Sequence, residues 1–160
     1  MSCSKGPHTV YFLLATFPAL DIFAMESLRT IEEKKVMDRV TKARILIETE
    51  GKKTALNGFQ KNSSRILAIE LNGMVLASPI HPETIGTNQW WYKDDLGVLV
   101  VQEEIAKAKA GGGWLNGRFR KNHLTGHYAC RKLYILPIQN DFFIGSWYYY
   151  PPSEENDCPM

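Results

Sequence analysis

The sequence has few cysteines and little net charge, two features that often indicate the functional class of a protein. Its three cysteines are far apart, with neither a C-x-x-C pair nor the cysteine and histidine spacing of a zinc site. An odd number argues against a full disulfide framework and leaves a single Cys130–Cys158 bridge as one alternative. The 19 basic and 17 acidic side chains give a net charge of +2, which is too balanced for a nucleic-acid-binding surface or a polybasic membrane patch.

Sequence motifs of the common enzyme classes are absent as well. The chain contains no G-x-S-x-G, H-E-x-x-H or P-loop motif, and no G-x-G-x-x-G precedes a predicted helix. The glycines of GGGW follow a predicted helix, so they would end that helix instead of holding a phosphate. The four histidines, His8, His81, His123 and His127, are not spaced to share one helix face. We therefore expect neither an enzyme nor a bound metal or cofactor.

Long apolar runs are also missing. The run TVYFLLATFPAL, residues 9–20, is too short to span a membrane as a helix. Its length suits the apolar part of a secretion signal that ends at Ala24, although a proline and an aspartate interrupt it and leave an anchor or a buried first helix open. We expect a signal or anchor at 1–24, one domain at 25–152 and a disordered tail at 153–160, with membrane association only through residues 9–24.

The apolar residues that are present change their period once along the chain. Residues 26–60 follow the period of a helix, broken at Gly51, with an apolar stripe of Leu28, Ile31, Val36, Val40, Ala43 and Ile47. From residue 65, two apolar runs flank Asn72-Gly73, which is typical of a β-hairpin. A helix that turns Val101, Ile105 and Ala108 inward and three consecutive strands complete the chain. The expected fold is α+β, with a long N-terminal helix packed on a five-stranded antiparallel sheet.

Candidate ligand-binding residues follow the hairpin in a long loop. Trp90, Trp91, Tyr92 and Lys93 combine aromatic rings with charge, as the walls of small-molecule pockets do. We expect Trp90 to lie in the core, and Trp91 and Tyr92 to face a pocket. Asp94 or Asp95 would either cap the helix that follows or accept a hydrogen bond from a ligand amine.

The polar groups predicted opposite these aromatics lie on two strands. Residues two apart on a strand share a face, so Arg118 points with Arg120, and Lys132 points with Tyr134. An arginine pair on the inner face of a sheet needs an anion or an acidic partner, because an unpaired buried charge is very costly. The alternative is that residues 118–132, with five basic side chains and no acid, form a solvated face.

Five segments of the chain form a recognisable series when they are taken in order. The first two are KARILIETEGKKTALNGFQ, a helix followed by one that opens with E-G-K, and ILAIELNGMVLASPIHPETIGTN, a hairpin followed by a P-x-x-x-G loop. The other three are KDDLGVLVVQEEIAKAKAGGGW, KNHLTGHYACRKLYI and FFIGSWYY. Together they extend over about residues 30–150 and resemble the single Cache domains, PAS-like extracytoplasmic sensor modules, in their stand-alone form.

This resemblance implies a Cache fold with a pocket between the sheet and the loops over it. Such domains bind short carboxylates or amino acids, are not enzymes, and act in signal transduction and chemotaxis outside the cytoplasmic membrane. A sensor kinase or chemoreceptor would then be the partner. The pocket positions match Trp91, Tyr92, Lys93, Arg118, Arg120, Lys132 and Tyr134 of this chain. Two arginines replace the aromatic residues of the relatives at 118 and 120, which favours a more acidic ligand.

Two other functions remain open from the sequence. A protein-interaction module derived from the same fold, without a ligand, would have its pocket filled by Trp91 or Trp147 and would expose an apolar patch. A small enzyme or carrier would place a titratable group, Asp94 or His81, inside the pocket.

Overall fold

The computed structural model describes residues 19–116, 119–152 and 158, with side chains from Ser27 onwards except that of Asn62. This part of the chain contains three α-helices, two short 3-10 helices and six strands. The α-helices and strands are α1 Ala19–Glu50, α2 Lys52–Phe59, β1 Leu67–Glu70, β2 Val75–Ala77, α3 Val100–Lys109, β3 Gly113–Leu115, β4 Phe119–Lys121, β5 Tyr128–Ile138 and β6 Phe142–Tyr150. The predicted signal or anchor segment lies outside the described residues apart from the backbone of 19–24, and so do Arg118 and all of the predicted tail except Cys158.

The six strands form one antiparallel sheet in the order β2-β1-β6-β5-β3, with β4 also paired to β5. The predicted α+β fold is confirmed, and the predicted number of five strands is corrected to six. The predicted strand at residues 113–121 is found as two strands, β3 and β4, in which Leu115 lies opposite Leu133 and Phe119 opposite Cys130. The pairing of β4 with β5 is therefore shifted by one residue from the pairing of β3 with β5.

One face of the sheet is covered by α1 and α2. Val40 and Ala43 of α1 and Phe59 of α2 are buried there against Phe142 and Ile144 of β6. The predicted apolar stripe of α1 is buried only from Val36 onwards, whereas Leu28 is 61% exposed and Ile31 is 48% exposed. Before Val36, the side of α1 that faces the sheet carries Glu33, which accepts from Lys132 of β5, and Arg29, which lies over the ring of Tyr150.

The opposite face of the sheet is covered by α3 and by the long loop that precedes it. Val101, Ile105 and Ala108 of α3 are buried against the sheet as predicted. Their partners on β5 and β6 include Leu133 and Phe143. Successive residues of a strand point to opposite faces, so β5 and β6 supply both layers of the core.

The β1–β2 hairpin fixes the start of this long loop. Gly73 has φ 97°, and its N–H donates to the carbonyl of Glu70 at 2.9 Å. A Cβ at Gly73 would lie 3.0 Å from the backbone nitrogen of Trp90, so only glycine allows this approach. The Asn88 side chain then joins hairpin and loop, donating to the carbonyl of Asn72 at 3.0 Å and accepting from the N–H of Trp90 at 2.9 Å.

Two further observations concern the cysteines and the membrane. Cys130, near the start of β5, forms a disulfide with Cys158, and their Cα atoms are 5.6 Å apart, so the bridge left open by the sequence is present. Within the described ranges, no helix combines the length and hydropathy needed to cross a membrane.

Candidate ligand-binding site

A cavity of about 710 Å³ lies between the sheet and the layer formed by the long loop and α3. One wall is apolar and comes from β1, β2 and α3, with Leu67, Ile69, Val75, Val100 and Val101. We call the polar lining residues Asp94, Glu104, Arg120, Arg131 and Tyr149 the polar wall. The cavity therefore has the two components of a small-molecule site, a broad apolar surface and a few convergent polar groups.

Arg120 and Arg131 reach the polar wall from neighbouring strands. Arg120 of β4 pairs with Ala129 of β5, and Arg131 lies two residues further along β5, so both side chains are on the same face. The Arg120 guanidinium is within 3.3 Å of Asp94 Oδ2. Burial, and secondly the charge of Arg131, lower the pKa of Arg120. Its Nε atom is buried and has no hydrogen-bond partner within the described part of the chain.

Glu104 forms the second ion pair of the cavity. Its carboxylate accepts from Arg131 Nη2 at 3.0 Å, and the side chain is only 4% exposed. Burial raises the pKa of Glu104 and outweighs the opposing effect of Arg131, which favours the charged carboxylate. The pair thus gives Arg131 an acid partner of its own.

Asp94 links the loop to the polar wall. Its Oδ1 accepts from the N–H of Leu96 at 3.0 Å and from the N–H of Val98 at 2.9 Å, which closes a turn, while Oδ2 remains for Arg120. The predicted capping of α3 is wrong, because the residue before that helix is Leu99 and no side chain caps it. Asp95 lines the cavity at its exposed rim.

His123 and Tyr149 complete the polar side of the cavity. His123 belongs to the β4–β5 turn, and its Nδ1 is 3.3 Å from the hydroxyl of Tyr149 on β6. Burial lowers the pKa of His123, with a further contribution from Arg65. Burial also raises the pKa of Tyr149 against the effect of Arg131 and Arg120, so that the hydroxyl keeps its proton.

The structure brings together two of the sequence-predicted site residues, Tyr92 and Arg120, which both line the cavity. Trp90 packs against the core of the α3 face, as predicted, and its carbonyl accepts from Gln102 at 3.0 Å. The expectation that Trp91 faces the pocket is corrected, since its side chain is 76% exposed and does not line the cavity. Lys93 is likewise exposed outside the cavity.

Lys132 and Tyr134 point together as predicted, but towards α1 on the other face of the sheet. Lys132 Nζ is 2.7 Å from Glu33 Oε1 and lies 5.3 Å from the ring centre of Trp114. Tyr134 packs edge-on against the same tryptophan at 5.1 Å. Because Arg131 and Leu133 face the cavity side, strand alternation turns their even-numbered neighbours away from it.

Sequence reasoning missed Arg131, Glu104 and Tyr149. A signal for Glu104 was present, because it occupies the position between Val101 and Ile105 on the apolar face of α3. A carboxylate on such a face requires a cationic partner in the sheet below it. That requirement points to a basic residue on the cavity face of β5, and Arg131 meets it.

A family model for the single Cache domain 2 matches residues 30–131. The chain belongs to the single Cache domain 2 family. No curated protein sequence matches this Cache domain. The match ends at Arg131 and so includes α3, β4 and most of the polar wall described above.

Solved structures of chemotaxis sensors share the fold of this Cache domain. A methyl-accepting chemotaxis protein from Vibrio parahaemolyticus RIMD 2210633 is 19% identical with a TM-score of 0.60, over 80% of this chain and 95% of the other. A periplasmic sensor domain of a chemotaxis protein is 17% identical with a TM-score of 0.57, over 78% and 93%. A Cache chemosensory domain that recognises carboxylic acid is 19% identical with a TM-score of 0.56, over 83% and 99%. At these identities the similarity establishes the fold.

Proposed function

We propose that this Cache domain binds a small organic acid, a short carboxylate or an amino acid, in the cavity between the sheet and the long loop. The observation that carries the proposal is the presence of two guanidinium groups, Arg120 and Arg131, at the border of a cavity with a broad apolar surface. A ligand carboxylate would accept charge-assisted hydrogen bonds from a guanidinium group there. Recognition of carboxylic acid by a Cache chemosensory domain of the same fold supports this choice of ligand.

The open cavity favours ligand binding over a ligand-free interaction module. Such a module would have its pocket filled by Trp91 or Trp147. Trp91 instead points to solvent, and Trp147 is 3% exposed within the core of the α3 face and does not line the cavity. A volume of about 710 Å³ is thus left for a ligand.

A binding function also fits the cavity better than a catalytic one. Asp94 and His81 both line it, as an enzyme or carrier would require. However, the two oxygens of Asp94 already accept three hydrogen bonds, and His81 pairs with Glu83 at 3.0 Å where both side chains are more than 60% exposed. Neither residue offers the free, buried group that proton transfer to a bound substrate needs.

We further propose an extracytoplasmic location and signalling through a separate sensor kinase or chemoreceptor. The Cys130–Cys158 disulfide supports the location, because such bonds persist in oxidising compartments. The chemotaxis proteins of the same fold support the signalling role.

A thermal-shift screen of the full chain against short carboxylates, amino acids and dicarboxylates tests the proposal. A ligand at about 100 times its Kd should stabilise the fold by about 2.7 kcal/mol, which raises Tm by several degrees. Arg120→Ala should abolish the shift, whereas Arg44→Ala, on the exposed side of α1, should keep it. A folded protein with no shift for any of these compounds would contradict the proposal.

A further inference from the structure

A second recess lies outside the ligand cavity, between α1, Trp147 of β6 and the β4–β5 turn. Its volume is about 870 Å³, and we call it the basic groove. It shares Ile80 and His123 with the ligand cavity, but Arg120 and Arg131 are not part of its lining. Its charged side chains, apart from the histidine, are Glu32, Lys35, Asp38, Arg39, Lys42 and Arg65. Cations outnumber acids in this set, so the groove is a cationic surface separate from the polar wall.

Arg39 is held in the basic groove by two backbone carbonyls. Its Nε donates to the carbonyl of Lys35 at 3.2 Å, and its Nη2 donates to the carbonyl of Trp147 at 3.3 Å. The second bond is available because β1 begins with Leu67 opposite Gly145, so Trp147 lies beyond the ladder of β1 and β6. The side chain of Arg39 is half-buried, and these neutral acceptors fix the guanidinium without neutralising its charge.

Arg65 brings a second guanidinium to the same place. Burial, and secondly the charge of Arg65, lower the pKa of Arg39, and the same two causes lower the pKa of His123. Glu32 opposes this effect on Arg39, but its carboxylate is paired with Lys35 at 2.6 Å. In the described part of the chain, neither Arg39 nor Arg65 forms an ion pair with a carboxylate. Two neighbouring guanidinium groups without a carboxylate between them favour an anion in the groove.

We propose that the basic groove binds a phosphate group, as inorganic phosphate or as a phosphate monoester, between Arg39 and Arg65. A phosphate monoester carries about 1.5–2 negative charges at neutral pH and three acceptor oxygens, which suit two guanidinium groups better than one carboxylate does. Lys42 adds a third cation to the groove, whereas Asp38 is exposed, so water and salt screen its repulsion. This site is independent of the proposed function, because it uses neither arginine of the ligand cavity.

An NMR titration of the full chain with sodium phosphate, followed by amide chemical shifts, tests the site directly. We expect saturable shifts at Arg65 and Trp147, which line the groove, and no saturable shifts at Arg120 and Val101, which line the ligand cavity. Nitrate, a monoanion, should bind more than about tenfold more weakly than phosphate, because Coulomb attraction grows with the charge of the anion.

Glycerol 1-phosphate distinguishes the two sources of the phosphate group. Tighter binding than inorganic phosphate would assign the group to a monoester, whose organic part can pack on Pro79 and Leu124 beside the arginines. Equal or weaker binding would assign it to free phosphate.

A matched pair of variants assigns the binding to Arg65. This residue has φ 49°, a left-handed conformation that asparagine tolerates, so Arg65→Asn should keep the fold. Its affinity for phosphate should fall about tenfold or more, since a charge-assisted donor is lost. Arg44→Asn removes an arginine from the exposed side of α1 and should leave the affinity unchanged.

Three results would overturn the inference. The first is the absence of saturable shifts in the folded protein, or equal binding of nitrate and phosphate. The second is a set of phosphate-induced shifts at Arg120 instead of Arg65, which would place the anion in the ligand cavity. The third is an unchanged phosphate affinity in Arg65→Asn. None of these results bears on the binding of organic acids, which Arg120→Ala decides separately.

Discussion

The two faces of the sheet use the same two strands in different ways. On the α1 face, alternate residues of β5 and β6 are packed against helices, and Tyr134 and Tyr148 lie edge-on to Trp114. On the cavity face, the residues between them pack on α3 at one end and border the cavity at the other, where Arg131 and Tyr149 lie. One face thus stabilises the fold, and the other gives up part of that stabilisation to leave space for a ligand.

The largest expected effect is a difference in stability loss between substitutions of two neighbouring cations on β5. Arg131→Ala leaves Glu104 buried without its ion-pair partner and should lower the free energy of unfolding by about 3–5 kcal/mol at neutral pH. Lys132→Ala exposes Glu33, which is already 29% exposed, and should cost about 1 kcal/mol or less. Urea unfolding of both variants measures the difference. Equal losses of unfolding free energy would show that the ion pairs on the two faces contribute equally to stability.

A second comparison concerns packing density. Ile144 is fully buried on the α1 face, so Ile144→Ala should cost about 2–5 kcal/mol of unfolding free energy. Ile69 is 6% exposed and borders the cavity, where it has fewer packing partners, so Ile69→Ala should cost less, about 1–2 kcal/mol. Chemical denaturation of the two variants under one condition checks the order. A reversed order would mean that the cavity wall is the more tightly packed surface.

A third expected effect is the pH dependence that Glu104 contributes. Its pKa is raised in the folded state, so between its ordinary pKa and the raised one the folded protein binds more protons than the unfolded chain. The free energy of unfolding should therefore fall as pH rises through that window. Glu104→Gln should lack this fall. Urea titrations from about pH 4 to pH 8 give the difference in unfolding free energy between the original protein and Glu104→Gln. If this difference is constant with pH, Glu104 is not the source of the pH dependence.

The smallest expected effect distinguishes the two adjacent tryptophans. Trp91 is 76% exposed, so Trp91→Ala should change the unfolding free energy by no more than about 0.5 kcal/mol. It should also leave ligand affinity unchanged, because the side chain is outside the cavity. Trp90→Ala should cost several times more, since Trp90 packs on the core. Thermal shift and titration of both variants test this, and weakened binding in Trp91→Ala would place that ring against the ligand.

The fold could be predicted from the sequence because its signals are periodic. The stripe of Val101, Ile105 and Ala108 specified the inner side of α3, and Asn72-Gly73 located the hairpin. These patterns depend on residues close in sequence, which is the range over which backbone geometry fixes side-chain direction.

The candidate site was predicted only in part, because a strand has two equivalent sets of side chains. The period of two correctly placed Lys132 and Tyr134 on one face, but nothing in β5 itself says which face meets the cavity. A shift of one residue exchanges the sets completely. The loop of Trp90 to Lys93 has no period at all, so only its anchoring through Asn88 shows which ring turns inward.

The Cys130–Cys158 disulfide changes how the domain would bear mechanical load. It closes a covalent ring over a sequence separation of 28 residues, and this ring contains all of β6, the strand at the centre of the sheet. A force applied to the chain beyond Cys158 would pass directly to Cys130 near the start of β5. With the bond intact, the ring could not be pulled out, and full extension of the chain would be shorter by roughly 100 Å. The central strand is thereby shielded from tension, whichever partner pulls on the domain.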